Sequence, residues 1–131
     1  MARLHDIVFD CHHPASIARF WADVLDGYAV APYDDAELAR LRSVGITSTE
    51  DDPTVLVEPA HSGPRLWFQY VPEPTSGKNR VHLDLLTADL EPELRRLTAL
   101  GATIQARHTD NIVLTDPEGN EFCLSPIASH H

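Results

Sequence analysis

Arg80-Val81-His82-Leu83-Asp84-Leu85-Leu86 alternates polar and apolar side chains and reads as a strand with one covered face. Behind it Asp89 stands where a helix N-cap belongs, Leu90, Leu94, Leu97 and Leu100 line one helical face, and Gly101 ends the helix. Three more short strands follow: Ala102-Thr103-Ile104-Gln105, Asn111-Ile112-Val113-Leu114 and Asn120-Glu121-Phe122-Cys123-Leu124. The last two are joined through the turn residues Asp116-Pro117-Glu118-Gly119. The order is β-α-β-β-β.

Outward from that stretch, the same order precedes it. Leu4-His5-Asp6-Ile7-Val8-Phe9-Asp10 is a strand, and Pro14 opens a helix whose stripe is Ile17, Phe20, Trp21, Val24 and Leu25, with Gly27 behind it as a C-terminal cap. Tyr28–Ala31, Thr54–Glu58 and Arg65–Val71 complete the set. Residues 32–53 interrupt it as an insertion carrying a short helix from Asp34 to Val44, either a lid over a pocket mouth or a surface elaboration. Pro72 to Asn79 is a linker by composition. The expected fold is α+β: two tandem βαβββ modules, about 1–73 and 78–127, forming a curved mixed sheet within one domain over 1–131.

Composition narrows the function. With 131 residues and 43% hydrophobic content the chain can bury a core without staples. A formal charge of −10, from 20 acidic against 10 basic residues, repels phosphate backbones and anionic membranes, so neither nucleic acid nor membrane is an expected partner, and a cationic ligand or metal is favoured. Cys11 and Cys123 lie far apart and read as buried free thiols of a reducing compartment. The N-terminal residues reach Asp6 without an apolar run, so a cytoplasmic protein is expected. The pair His130 and His131 reads as a tag remnant.

Duplication focuses attention on matching places in the two halves. The first strand of each carries a histidine, His5 and His82, and the last strand of each a polar residue, Gln69 and Glu121. Two imidazoles and a carboxylate with open positions suit a first-row divalent ion, with Gln69 adding a neutral oxygen. Asp84, two residues beyond His82, shares its face and either orients the imidazole or pairs with Arg80 or Lys78. Trp67, Tyr70 and Phe122 supply aromatic surface for a ligand pocket.

The stretches Phe20-Trp21 with Val24-Leu25-Asp26-Gly27, Leu66-Trp67-Phe68-Gln69-Tyr70, Lys78-Asn79-Arg80-Val81-His82-Leu83-Asp84 and Asp116-Pro117-Glu118-Gly119-Asn120-Glu121-Phe122 resemble the glyoxalase-like branch of the vicinal-oxygen-chelate superfamily. The resemblance implies the glyoxalase/bleomycin-resistance/dihydroxybiphenyl-dioxygenase fold and a homodimer. It also implies metal ligands at His5, Gln69, His82 and Glu121, for Fe, Ni, Zn, Mn or Co. Lyase, isomerase or dioxygenase chemistry on a small molecule with vicinal oxygens would follow, with Glu121 as ligand and proton acceptor. Glyoxalase I itself is not expected, because Gln69 stands where bacterial enzymes carry a glutamate. The alternative is a metal-free protein that sequesters a small molecule, as bleomycin-resistance proteins do.

Overall fold

A computed structural model describes residues 1–74 and 76–127; His130 and His131 lie outside the described residues. It divides into two compact units, Met1–Glu73 and Pro74–His131.

In the first unit, β1 (Asp6–Cys11) runs parallel to β4 (Arg65–Tyr70). Strand β3 (Thr54–Pro59) pairs antiparallel with both β4 and β2 (Tyr28–Val30), giving the order β1-β4-β3-β2. The period-2 alternation decides which face is covered. Leu66 and Phe68 on β4, with Val55 and Val57 opposite them on β3, are buried, as are Ile17, Phe20, Trp21 and Val24 of α1 (Pro14–Val24). Pro14 sits in the first turn, where its missing N–H costs nothing. Phe9 stacks on Phe68 with ring centroids 5.1 Å apart. Burying Phe68, at 1% exposure, contributes about 2–3 kcal/mol by area removed from water.

The insertion forms α2 (Asp35–Ser43) and a 3-10 turn (Thr49–Asp51). Asp34 caps α2, its Oδ1 accepting from Glu37 N at 2.8 Å, and Glu37 and Arg40 pair along the helix. Asp52, at 3% exposure, anchors the far end of the insertion: Oδ2 accepts from Tyr33 at 2.7 Å and Oδ1 from Thr54 N at 3.1 Å.

The second unit repeats the plan: β5 (Leu83–Thr87) lies parallel to β8 (Glu121–Pro126), with β7 (Ile112–Thr115) and β6 (Thr103–Arg107) completing the order β5-β8-β7-β6. Helix α3 (Leu90–Leu100) buries Leu94 and Leu97, and Ile112, Leu114, Phe122 and Leu124 are buried on the strands. Three details differ from the sequence expectation. Strand β5 begins at Leu83, because its ladder starts opposite Phe122. Asp89 takes the N-cap position without a side-chain bond; instead Thr87 Oγ1 accepts from Asp89 N at 3.3 Å. Strand β6 extends to Arg107 through an irregularity between Ile104 and Ala106. The Asp116-Pro117-Glu118-Gly119-Asn120 turn is built on Asp116, buried to 4% exposure, whose carboxylate accepts from the N–H groups of Glu118 and Asn120. That turn fixes where β8 starts and hence where Glu121 points.

Candidate functional site

In each unit the long helix covers one face of the sheet, and the chemistry sits on the other, referred to below as the open face of that sheet. In the first unit strand alternation places Asp6, Val8 and Asp10 of β1 beside Arg65, Trp67 and Gln69 of β4, with Thr54, Leu56 and Glu58 of β3 beyond. Arg65 donates to Asp6 through two nitrogens, at 2.8 and 2.9 Å, and the Trp67 indole N–H donates to the same carboxylate at 3.0 Å. The Arg65 guanidinium lies 5.6 Å from the centre of the Trp67 ring. These donors, the Arg65 hydrogen bond foremost, hold the Asp6 carboxyl below its ordinary pKa.

The insertion lies against part of this face. Tyr33, Asp34 and Glu37 from its near end, Thr54 and Leu56 from β3 and Trp67 from β4 line a cleft of about 260 Å³. Its lining combines these aromatic and aliphatic groups with three carboxylates, Asp34, Glu37 and the buried Asp52. Burial and the Asp52 carboxylate push the Tyr33 phenol pKa well above its usual value, so this hydroxyl stays protonated. Tyr33 is thereby fixed as a donor to Asp52. A second cleft of about 370 Å³ lies at the start of α1, lined by residues that include His12, His13, Asp51, Asp52 and Tyr70.

On the open face of the second unit, His82 Nε2 lies 3.2 Å from Asp84 Oδ1. Asp84 is the cross-strand partner of Cys123, and one donor atom each from His82, Asp84 and Cys123 lie within 4.8 Å of one another. Glu121, two residues before Cys123 and on its face, receives a hydrogen bond from Lys78 Nζ at 2.6 Å. Burial, the Asp84 charge and the thiol-to-carboxylate hydrogen bond push the Cys123 thiol up from its ordinary pKa.

The pairing registers revise the symmetry expected from sequence. Leu66 pairs with Ile7 and Val57, and Phe122 pairs with Leu83 and Leu114, so Ile7 and Leu83 occupy matching places. One step back, His82 matches Asp6, and His5 matches Val81. Glu121 matches Arg65, Cys123 matches Trp67, and Gln69 matches Ser125. A one-residue slip along a strand turns a side chain to the other face, so His5 and His82 are not counterparts. His5 lies just before β1, exposed, with its carbonyl accepting from Arg65 N and its Nε2 3.6 Å from Asp6 Oδ1. Gln69 lies four residues beyond Arg65, about 13 Å along the strand, where its amide donates to Asp10 at 2.8 Å. His5 and Gln69 are therefore at opposite ends of the β1/β4 pair and do not form half of one coordination sphere. Where the second unit has His82 and Glu121, the first has the Asp6–Arg65 ion pair.

Among the pocket residues expected from sequence, Trp67 lines the cleft beneath α2 and Tyr70 the cleft at the start of α1, while Asp84 approaches the imidazole. Phe122 is corrected: it is 0% exposed on the helix-covered face, because it alternates with Glu121 and Cys123. Cys123, expected to be buried like Cys11, is only half-buried and stands on the open face beside Asp84. The signal for that placement was its spacing, two residues from Glu121 and therefore on the same face.

The sequence matches the family model described as a glyoxalase-like domain over residues 6–125. No curated protein matches significantly. Similar solved structures include a glyoxalase/bleomycin resistance protein/dioxygenase family enzyme from Burkholderia phytofirmans PsJN, at 16% identity and TM-score 0.67, covering 96% of this chain and 99% of that one. The fosfomycin resistance protein FosX from Mesorhizobium loti aligns at 14% identity and TM-score 0.66, covering 95% of this chain and 91% of that one. A glyoxalase-related enzyme from Fulvimarina pelagi aligns at 14% identity and TM-score 0.63, covering 98% and 90%. At these identities the likeness carries the fold, the fold of glyoxalase and dioxygenase relatives, and not a reaction. With the family match spanning nearly its whole length, the chain belongs to the glyoxalase-like domain family of the vicinal-oxygen-chelate superfamily.

Proposed function

We propose that this protein binds a small planar molecule, neutral or cationic, in the cleft beneath α2 without needing the four-ligand metal centre expected from sequence. The observation that carries this reading is the cleft of about 260 Å³ formed where the insertion meets the open face of the first sheet. Trp67 offers a flat apolar wall, and the hydrogen bond from its indole to Asp6 holds the ring orientation. The carboxylates of Asp34, Glu37 and Asp52 in its lining disfavour anions, as does the chain's charge of −10. The role is sequestration or sensing.

Calorimetric titration of a panel of planar cations and neutral aromatics tests it, beside Leu56→Trp, which fills the cleft. Saturable one-to-one binding that disappears in Leu56→Trp is expected. Binding that survives the filled cleft overturns the reading.

A second reading, metal-dependent chemistry on vicinal oxygens, is favoured by one observation: His82 and Glu121 stand on the same open face at the same end of the β5/β8 pair. Of the four positions expected from the resemblance, only these two fit a shared ion. A divalent ion there would act as a Lewis acid for two adjacent oxygens. His82 would hold it, Asp84 would orient the imidazole, and Lys78 would release Glu121. Because the Glu121 side chain is only 18% exposed, releasing it from Lys78 costs more than parting a fully exposed surface pair.

A further inference from the structure

We infer that His82, Asp84 and Cys123 form a three-donor site for one thiophilic divalent cation of the zinc or cobalt(II) kind. The inference rests on the second reading above, not on the cleft, and it changes that reading's ligand set: a thiolate and Asp84 take the place of Glu121.

The geometry comes from strand pairing. His82 and Asp84 are two residues apart on one face, and Asp84 is the direct cross-strand partner of Cys123. Their donor atoms already lie within 4.8 Å of one another. Donors bound tetrahedrally at about 2.0–2.3 Å from zinc stand roughly 3.3–3.7 Å apart. Closing the difference takes about 1 Å of side-chain movement, which is open to His82 and Asp84 because both are substantially exposed. Three protein donors leave one position for water or a ligand oxygen, the pattern of open zinc sites.

Donor chemistry selects the ion. A thiolate with an imidazole and a carboxylate favours zinc and cobalt(II) over magnesium, manganese and calcium. Binding replaces the S–H bond of Cys123 with an S–metal bond and releases one proton to solvent, with no change of oxidation state. Glu121 is held by Lys78 at 2.6 Å and contributes negative charge beside the site without entering it. Among the described residues, this is the group of histidine, cysteine and carboxylate side chains gathered closely enough to hold an ion. Cys11, at 3% exposure, offers no accessible thiol for such a site.

The test is a cobalt(II) titration of the full chain followed by absorption spectroscopy. The expected result is one equivalent bound, with visible bands of a tetrahedral ion and a near-ultraviolet thiolate-to-cobalt band that zinc abolishes. In Cys123→Ser the near-ultraviolet band is lost, and in His82→Ala binding weakens by at least about tenfold. Should Cys123→Ser fold poorly, zinc protection of Cys123 from alkylation in the unmodified protein gives a second readout. Cobalt bound without a thiolate band, or a band that persists in Cys123→Ser, overturns the inference while leaving the His82 and Glu121 reading in place. No bound cobalt overturns both.

Discussion

Replacing Tyr33 with Phe removes one hydroxyl and leaves the ring. Its consequence is large because of what the hydroxyl touches: Asp52 is 3% exposed, and its Oδ2 accepts from Tyr33 at 2.7 Å. Thr54 N continues to satisfy Oδ1 at 3.1 Å, so one lone pair and not the whole carboxylate is orphaned. A hydrogen bond to a charged group contributes about 1.5–3 kcal/mol, and leaving a buried acceptor without a donor sits at the upper end of that range. At about 3–5 °C per kcal/mol for a chain of this size, the thermal midpoint should fall by about 5–15 °C.

The same contact fixes a pH signature. The folded protein raises the phenol pKa, so folded chains hold the Tyr33 proton more tightly than unfolded ones. Stability from this group is therefore fully present below the ordinary tyrosine pKa of about 10 and is lost as pH rises beyond it. Thermal unfolding followed by circular dichroism between pH 7 and 11 measures both effects. In Tyr33→Phe the midpoint drops at pH 7, and the alkaline fall above pH 10 is shallower than in the parent protein. A midpoint at pH 7 unchanged to within about 0.5 kcal/mol would refute the role given to this hydrogen bond.

Phe122→Ala should cost about 3–5 kcal/mol, because the side chain is fully buried between β8 and α3; denaturant unfolding that shows less than about 1 kcal/mol would return Phe122 to a pocket wall. Asp6→Asn should flatten the acid limb of stability. The Asp6 pKa is lowered in the fold, chiefly by Arg65, so its contribution is present above the ordinary carboxylate pKa and lost as pH falls through the lowered one; unfolding midpoints between pH 5 and 2 check this. His5→Ala should leave thermal stability within about 0.5 kcal/mol and cobalt binding unchanged, since His5 is an exposed residue outside β1. Gly101→Ala should destabilise by about 1 kcal/mol or more. Gly101 holds φ at +123° at the end of α3, and an added Cβ would meet Pro117 Cγ at 3.3 Å; a neutral result in thermal unfolding would contradict that.

Much of the fold was legible because strands and helices announce themselves through different periods. The stripe from Ile17 to Val24 and the Leu94 and Leu97 positions gave the helices, and the alternation of β4 gave its faces. The Asp116-Pro117-Glu118-Gly119-Asn120 turn was one of the four stretches that carry the family resemblance, and its hydrogen bonds to Asp116 show what those residues do here. Ligand positions were harder to read, because face assignment depends on register and register is set by the partner strand. A histidine near the start of each first strand suggested a symmetric pair. The pairing of Ile7 with Leu66 and of Leu83 with Phe122 puts them one residue out of step. The cleft was not readable at all: it needs residues from the insertion, β3 and β4, and no local spacing joins Tyr33 to Trp67.

The most direct test of the account is a two-dimensional NMR titration with a planar cation from the binding panel, following the indole N–H signals. The chain has two tryptophans, Trp21 buried in the core of the first unit and Trp67 on the cleft wall. The account predicts that the Trp67 indole signal shifts saturably, together with backbone amides around Tyr33 and Leu56, while Trp21 stays still. A stationary Trp67 signal, with shifts confined to residues 82–86 and 121–125, would contradict it and move the binding site to the second unit.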